Sequence, residues 1–277
     1  MNVQVCNMRS IDFDIKFRNS LMETGFAVVT NHGIDWKTIV TTQMTWRDFF
    51  IKPSVVKDVY VDIKDSNLGY TRFGGEKALG GEKADLKEFY HWKPAYSSRL
   101  PLSVEQCTAK IFFQLSDIGE QLLHILDKAD GTNYREACSS SDNTIFRALY
   151  YPALNDIKVE PGAIRAAAHE DINFITLLVA ASDAGLQVQD TKGNWIDVPH
   201  EENSIVVNIG DMLQLTSKGK YRSTTHRVVN PSIATRDRLS IPLFIHPHGD
   251  TLLAPGVTAK QFLTERLNAI YQTGYKK

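Results

Sequence analysis

Cysteine is scarce in this sequence. The 277 residues include three cysteines, Cys6, Cys107 and Cys138, and no two of them have Cys-x-x-Cys spacing. An odd number of scattered thiols predicts neither a disulfide framework nor a metal site built from thiolates. We therefore expect reduced cysteines, and a cytoplasmic location is the default expectation for such a chain.

The sequence also lacks a surplus of charge and any long apolar run. Its 31 basic and 32 acidic residues give a formal net charge of −1, whereas proteins that bind nucleic acid or anionic membranes usually carry a basic surplus. No run of about 18 apolar residues predicts a transmembrane helix, and residues 1–6 do not resemble a signal peptide. We expect neither nucleic acid nor membrane as a partner, and the oligomeric state is not predicted.

The composition that remains is that of an ordinary globular protein, with 43% hydrophobic and 23% charged residues. We expect a single domain over 1–277, of which 1–142 is a helix-rich N-terminal region. Helices are expected at 10–24 with Gly25 as the terminating residue, at 35–51 with Asp35 as the cap, and from a Ser103-x-x-Gln106 capping box to Gly131. A strand is expected at 26–30.

From residue 143 onward the pattern changes to short strands separated by turns. The expected strands lie at about 145–151, 163–169, 172–180, 185–189, 204–209, 212–216, 225–229 and 238–246. Eight strands of this length favour a jelly roll, in which two sheets pack face to face. The predicted fold class is mainly β with flanking helices, with the core at 143–250 and a C-terminal helix in 251–277.

Three residues in this core form a candidate metal site. His169 and Asp171 are two positions apart, so on a strand both side chains point to the same face, while Glu170 points to the other. A second histidine, His226, follows in a Thr-Thr-His-Arg-Val context. Two histidines and one carboxylate are the ligand set of non-haem Fe(II) oxygenases, because they leave adjacent coordination positions open.

A candidate anion site follows twelve residues later, at Arg238 and Ser240. These two residues share one face of an expected strand that is otherwise apolar on both faces. An arginine on such a strand is expected to be buried, and a buried guanidinium needs an anionic partner. We expect Arg238 and Ser240 to hold a carboxylate, with the guanidinium as the main anchor.

Taken in order, these residues resemble the isopenicillin N synthase-like family of Fe(II)/2-oxoglutarate-dependent dioxygenases. The resemblance covers nearly the whole chain. It includes the strand and turn at 25–34, the acidic and aromatic segment at 85–92, Tyr-Tyr-Pro at 150–152, Gly-Leu-Gln-Val at 185–188 and Gly-Asp-Met-Leu-Gln-Leu-Thr-Ser at 210–217.

This resemblance implies a double-stranded β-helix core and a function. His169, Asp171 and His226 correspond to the Fe(II) ligands of the family. Arg238, Ser240 and Tyr151 correspond to residues that hold the distal carboxylate of the cosubstrate 2-oxoglutarate. The implied reaction uses O₂ to oxidise a small molecule and releases succinate and CO₂. The sequence departs from many plant members at Leu149, where they have Asn, and Arg147 resembles an arginine of other branches.

Two alternatives remain open from the sequence. In the first, a 2-oxoglutarate-independent non-haem iron oxidase, Arg238 and Ser240 bind a carboxylate of the substrate. In the second, the chain is a non-catalytic metal-binding jelly roll. The sequence predicts neither the substrate nor the choice between hydroxylation, desaturation and cyclisation.

Further residues are candidates for the substrate entrance and the pocket. The glycine-rich segment 65–84 is expected to be a long irregular loop that borders the substrate entrance and orders when substrate binds. Residues that either line a substrate pocket or belong to the core are Phe73, Asn173, Phe174, Leu186 and Phe244. His91 is a further candidate, while His32 and the pair His246 and His248 are expected to be structural.

Overall fold

The computed structural model describes residues 2–62, 67–77, 83–179, 181–233 and 235–274 of the chain. The helices are α1 Phe13–Thr24, α2 Trp36–Phe50, α3 Ser54–Lys57, α4 Leu102–Asp130, α5 Tyr134–Cys138, α6 Asp211–Thr216 and α7 Ala259–Gly274. The strands are β1 Val5–Asn7, β2 Phe26–Thr30, β3 Gly69–Thr71, β4 Glu88–Trp92, β5 Ile145–Tyr151, β6 Ala166–His169, β7 Ile175–Val179, β8 Leu186–Gln189, β9 Trp195–Asp197, β10 Ile205–Ile209, β11 His226–Val228, β12 Arg238–Ile245, β13 Leu252–Ala254 and β14 Val257–Thr258.

The helix ends follow the local signals in most places. Gly25 adopts the left-handed conformation (φ 72°) that ends α1, and Gly131 does the same for α4 (φ 67°). The Asp35 carboxylate accepts from the N–H of Lys37 at 3.4 Å at the start of α2. Thr258 and Gln261 form the reciprocal hydrogen bonds of a capping box before α7. The predicted helices at 10–24 and 35–51 and the strand at 26–30 are confirmed.

The predicted capping box at Ser103 is wrong. Helix α4 begins at Leu102, with Pro101 as its N-cap and without a side-chain cap. Proline fixes φ near the helical value and has no N–H that needs a partner. Pro101 can therefore precede the first turn of the helix, which places the N-cap two residues before Ser103. The buried face of α4 includes Ile111, Leu115, Ile118 and Leu122, whose spacings of 4, 3 and 4 residues are those of one helical face.

Two sheets form the centre of the fold. The large sheet has eight strands in the order β1-β2-β10-β7-β12-β5-β4-β3, and the small sheet has four in the order β6-β11-β8-β9. One face of the large sheet packs against α1, α2 and α4 around Trp46, Leu115 and Leu243. Smaller apolar clusters around Val188, Val206 and Leu149 join its other face to the small sheet. The eight strands β5–β12 divide four and four between the sheets, which is the predicted double-stranded β-helix.

Three details differ from the predicted arrangement. Residues 212–216, expected as a strand, belong to the short helix α6, and the eighth core strand is instead β9. The alternating Met-Leu-Gln-Leu-Thr pattern fits a strand equally well, but the first N–H groups of α6 find partners in the carbonyls of 171–172. The helix-rich region 1–142 also supplies β1–β4, which extend the large sheet at both edges.

The glycine-rich segment 65–84 is more ordered than predicted where the structure describes it. It contains β3, which pairs with β4. Residues 65, 66 and 78–82, including Gly80 and Gly81, lie outside the described residues. Its ordering on substrate binding stays a prediction. Across the described ranges, no helix has the length and apolar character required to cross a membrane.

Candidate active site

Three potential metal ligands come together where β6 and β11 lie side by side. His169 ends β6 and stands opposite His226, the first residue of β11, and their ring centroids are 4.4 Å apart. One ligand atom from each histidine and one carboxylate oxygen of Asp171 all lie within 4.8 Å of one another. In the part of the chain that the structure describes, no other group of His, Cys, Asp or Glu meets this criterion.

Asp171 is positioned by the loop that follows β6, and not by the alternation of side chains along that strand. Strand β6 ends at His169, so Asp171 lies beyond it. The backbone there is held by the start of α6, where the N–H of Asp211 donates to the carbonyl of Asp171 at 2.8 Å. The N–H of Gly210 likewise donates to the carbonyl of Phe174 at 2.9 Å. The structure therefore brings His169 and Asp171 together as predicted, but through the loop that follows β6 and not through alternation along one strand.

The Asp171 carboxylate is anchored through one oxygen and open at the other. Its Oδ2 accepts from Thr176 Oγ1 at 2.6 Å and from Asn208 Nδ2 at 2.8 Å. Its Oδ1 lies 3.9 Å from His226 Nε2. Burial alone would raise the pKa of this carboxyl, but the two histidines and the two hydrogen bonds outweigh burial and lower the pKa. The group is therefore an ionised carboxylate with one free oxygen.

Both histidines are held in the tautomer that leaves Nε2 free. The Nδ1 atom of His169 lies 2.7 Å from the carbonyl of Ala167, and that of His226 lies 3.1 Å from the carbonyl of Thr224. A carbonyl can only accept, so each Nδ1 carries the proton and each Nε2 keeps its lone pair. Burial, reinforced by the neighbouring His226, lowers the pKa of His169 to about 4. The His169 ring is thus neutral near pH 7, as a metal ligand must be.

A tight contact at Gly210 yields a first prediction. A Cβ atom added there would lie 2.1 Å from the carbonyl oxygen of Asn173 and 3.0 Å from that of Asp171. Because both obstacles are backbone atoms, Gly210→Ala should lower the free energy of unfolding by roughly 1 to 3 kcal/mol and shift Asp171, which weakens metal binding. Denaturant unfolding and metal titration measure the two effects. The control is Gly249→Ala, where the nearest atom is 3.4 Å away; equal behaviour of the two variants would contradict the prediction.

The candidate ligands face a cleft of about 520 Å³ between the two sheets. Its apolar walls come from both sheets, and its charged and polar groups lie in three places: the metal-ligand group, Arg238 with Ser240, and Lys87 with Arg147. The apolar lining residues are Phe26, Leu149, Ala166, Leu178, Leu186, Val228, Pro242 and Phe244. This mixed lining, apolar walls with a few convergent polar groups, is typical of sites for small organic molecules.

Arg238 is buried in this cleft, as its apolar flanks predict. Its side chain is 2% exposed, and Nε donates to the carbonyl of Asp183 at 3.0 Å. Its Nη1 is buried without a hydrogen-bond partner among the described residues. Tyr151 stands opposite it across β5 and β12, with its ring centroid 5.0 Å from the guanidinium carbon. A buried donor without a partner fits a site for an anion that binds from the cleft.

A second buried arginine beside Tyr151 was missed from the sequence. Arg165 is fully buried, and its Nη2 donates to the carbonyl of Arg236 at 2.6 Å, while Nε and Nη1 have no hydrogen-bond partner among the described residues. Its guanidinium carbon lies 5.9 Å from the Tyr151 ring centroid. The signal was available, because Arg165 lies between Ile164 and Ala166 in a largely apolar segment, comparable to the one that follows Arg238.

Lys87 and Arg147 were also missed as cleft residues, although both fall in or near segments noted in the sequence. Each contacts Glu76 from the glycine-rich segment, and Arg147 also donates to His91. Burial, reinforced by the charged Arg147, holds the pKa of His91 well below its ordinary value. His91 does not line the cleft itself, but it accepts a hydrogen bond from Arg147, which does.

The expected pocket residues divide into two groups. Leu186 and Phe244 line the cleft, whereas Phe174 is fully buried in the helix-facing core. Asn173 is also buried and donates to the carbonyl of Ile175 at 2.6 Å. Phe73 is 41% exposed and does not line the described cleft.

The chain matches two models of one protein superfamily. Residues 142–247 match the 2OG-Fe(II) oxygenase superfamily, and residues 13–112 match the N-terminal region of non-haem dioxygenases, described as acting in morphine synthesis. Among curated relatives, jasmonate-induced oxygenase 3 of Arabidopsis thaliana is 29% identical over 91% of this chain and 70% of its own length. The chain spans between 63% and 74% of the length of eight curated relatives that it matches.

Solved structures give the same result over nearly the full chain. A protein of Shewanella oneidensis described as an oxygenase is 35% identical with a TM-score of 0.85, covering 97% of this chain and 98% of its own. A full-length Neurospora crassa protein solved with alpha-KG, which is 2-oxoglutarate, is 25% identical with a TM-score of 0.83, covering 96% of each chain. Sequence, fold and similarity agree that this chain belongs to the 2OG-Fe(II) oxygenase superfamily and is an Fe(II)- and 2-oxoglutarate-dependent dioxygenase.

Proposed function

We propose that His169, Asp171 and His226 hold Fe(II) and that the enzyme oxidises a small organic molecule bound in the adjacent cleft. The observation that carries this proposal is the convergence of two free Nε2 atoms and one carboxylate oxygen within 4.8 Å. Zinc sites of the closed type would need a fourth ligand, which the described residues do not supply. Three ligands on one side suit Fe(II) with open positions.

In this proposal Arg238 holds the distal carboxylate of 2-oxoglutarate, assisted by Ser240 and Tyr151. The unpaired Nη1 of Arg238 supports the assignment, as does the position of all three side chains on the cleft wall. Bound Fe(II), 2-oxoglutarate and O₂ supply the oxidation, with release of succinate and CO₂. The part of this chain is to orient the cosubstrate between two fixed anchors and to exclude water with apolar walls.

The substrate in this proposal is a small molecule, consistent with a cleft that combines apolar walls with a few charged and polar groups. Relatives include hydroxylases of feruloyl CoA and a flavanone dioxygenase, and the diversity of these names argues against transferring any one substrate. The scarcity of cysteine, with all three thiols free, remains the reason for proposing a cytoplasmic location.

The test is an anaerobic titration with Fe(II) and 2-oxoglutarate, followed by a metabolite screen for O₂-dependent release of succinate. Succinate should appear with Fe(II) and disappear when a chelator removes the metal, then return when Fe(II) but not Zn²⁺ is restored. Turnover of a substrate at full rate without any 2-oxo acid would instead support the oxidase alternative. Failure to bind Fe(II) at all would support the non-catalytic alternative.

A further inference from the structure

We infer that the substrate carries a carboxylate bound by Lys87 and Arg147, and that the Glu76 side chain occupies this anion site until the substrate replaces it. The inference rests on the proposed function, because it takes the cleft beside the metal ligands as the substrate site. It adds the chemical class of the substrate, a monocarboxylic acid with an apolar body, and a residue that competes with it.

The two cations line the same cleft as the metal ligands. Lys87 immediately precedes β4 and lies near the Tyr151 end of β5, whereas Arg147 lies farther along that strand. Arg147 and Tyr151 lie on one face of β5, four residues apart, which corresponds to roughly 13 Å along a strand. Tyr151 stands opposite Arg238. Arg147 is therefore too far along β5 to share the distal carboxylate of 2-oxoglutarate with Arg238, and the anion that it binds is a different one.

Arg147 lines the cleft between two aromatic rings. Its guanidinium carbon lies 4.3 Å from the ring centroid of Phe89 and 5.1 Å from that of Phe244, and its Nε donates to Nε2 of His91. Its two terminal nitrogens donate to the Glu76 carboxylate at 3.3 and 3.5 Å. Charge-assisted bonds are ordinarily about 2.7 to 2.9 Å long, so Glu76 contacts Arg147 less closely than a typical ion pair does.

Lys87 completes the site from the neighbouring segment. It is 5% exposed, and its Nζ lies 2.6 Å from Glu76 Oε2 and 2.8 Å from Asp85 Oδ2. Lys87, Arg147 and Asp85 alone carry a surplus of one positive charge, which Glu76 neutralises. A substrate carboxylate in place of Glu76 would preserve the balance of charge, so the exchange would leave no buried charge unpaired.

The Glu76 side chain can move away from Lys87 and Arg147 without disrupting a strand. It lies between β3 and β4, and its own carbonyl accepts from the N–H of Asp85 at 3.1 Å. The N–H of Gly74 donates to the carbonyl of Lys87 at 3.1 Å. With the backbone anchored at both points, rotation of the Glu76 side chain is sufficient. The remaining walls of the cleft are apolar, including Leu149, Leu186 and Phe244, which favours an alkyl or aryl body.

The test measures binding of matched acids and amides to the anaerobic Fe(II)·2-oxoglutarate enzyme by calorimetry. The probes are hexanoate and hexanamide, and phenylacetate and phenylacetamide, which differ within each pair in charge but hardly in size. Wild-type enzyme should bind at least one acid about tenfold or more tightly than its amide. Arg147→Gln and Lys87→Gln should remove this preference. The charge-transfer absorption of the Fe(II)–2-oxoglutarate chelate reports separately on the proposed function.

Glu76→Gln is the decisive variant, because we expect it to increase the affinity for acids. Removing the competing carboxylate should tighten acid binding several-fold and leave amide binding unchanged, which a folding defect cannot imitate. The matched control is Glu202→Gln on the exposed surface. The inference is overturned if amides bind as tightly as acids, if no acid binds, or if Glu76→Gln weakens acid binding while the chelate absorption forms normally. Absence of that absorption in wild-type enzyme would instead contradict the proposed function.

Discussion

Alanine at His169, Asp171 or His226 should abolish succinate release and weaken Fe(II) binding by on the order of 100-fold or more. Loss of a residue that only hydrogen-bonds to a metal ligand can already weaken metal binding by up to about 100-fold, and loss of a ligand itself should cost at least as much. Each of the three supplies one of the converging ligand atoms, and no neighbouring His, Cys, Asp or Glu among the described residues stands in position to replace it. Iron stoichiometry after anaerobic loading and 2-oxoglutarate turnover measure the two effects.

The matched control for these variants is Glu170→Ala. Glu170 lies between two of the proposed ligands in sequence, but it is exposed and contacts Thr225 on the outer side. This variant should keep iron binding and turnover. A soluble, folded variant with all three ligands changed to alanine that still held wild-type amounts of iron would contradict the assignment of the metal site.

Arg238→Lys should raise the 2-oxoglutarate concentration needed for half-maximal turnover by about tenfold or more, with little change in iron affinity. Lysine keeps the charge but cannot donate two parallel hydrogen bonds to a carboxylate. Arg238 lies on a strand of the large sheet, across the cleft from His169 and His226 on the small sheet. The fixed separation of the two anchors would select a 2-oxo acid by its length. Pyruvate, which lacks the distal carboxylate, should therefore be a poor cosubstrate for the wild-type enzyme.

Arg236→Gln is the control for this prediction. Arg236 precedes Arg238 by two residues, but its side chain is 62% exposed, so its loss should leave the requirement for 2-oxoglutarate unchanged. If Arg238→Lys left that requirement unchanged while activity remained normal, Arg238 would not be the anchor of the distal carboxylate. Arg165 lies beside Tyr151, and its Nε and Nη1 have no hydrogen-bond partner among the described residues, so it would then be the next residue to vary.

The sequence predicted the elements that depend on local patterns. The helical spacing of α4, the left-handed glycines at 25 and 131, and seven of the eight core strands were readable, because each is encoded within a few consecutive residues. Residues 212–216 show the limit of such reading. Their alternating apolar pattern fits a strand, and the choice of a helix depends on carbonyls at 171–172 that accept from the first N–H groups of α6.

Residue types in sequence order also determined which groups were candidates for the site. His-x-Asp, a distant His and Arg-x-Ser were sufficient to single out the three proposed metal ligands and the buried Arg238, and the burial of Arg238 followed from its apolar flanks. The tautomers of the two histidines were not readable. They depend on backbone carbonyls at 167 and 224, whose directions are set by how the strands end.

By itself, then, the sequence determined the fold class, the family and the candidate ligands, because these depend on local periodicity and on the order of a few distinctive residues. Only the tertiary structure decided that Asp171 is positioned by α6, that Arg165 lies beside Tyr151, and that Lys87 and Arg147 share Glu76 at the cleft. These contacts join residues that are 11 to 71 positions apart, and such pairings arise from the packing of two sheets, which no short sequence pattern encodes.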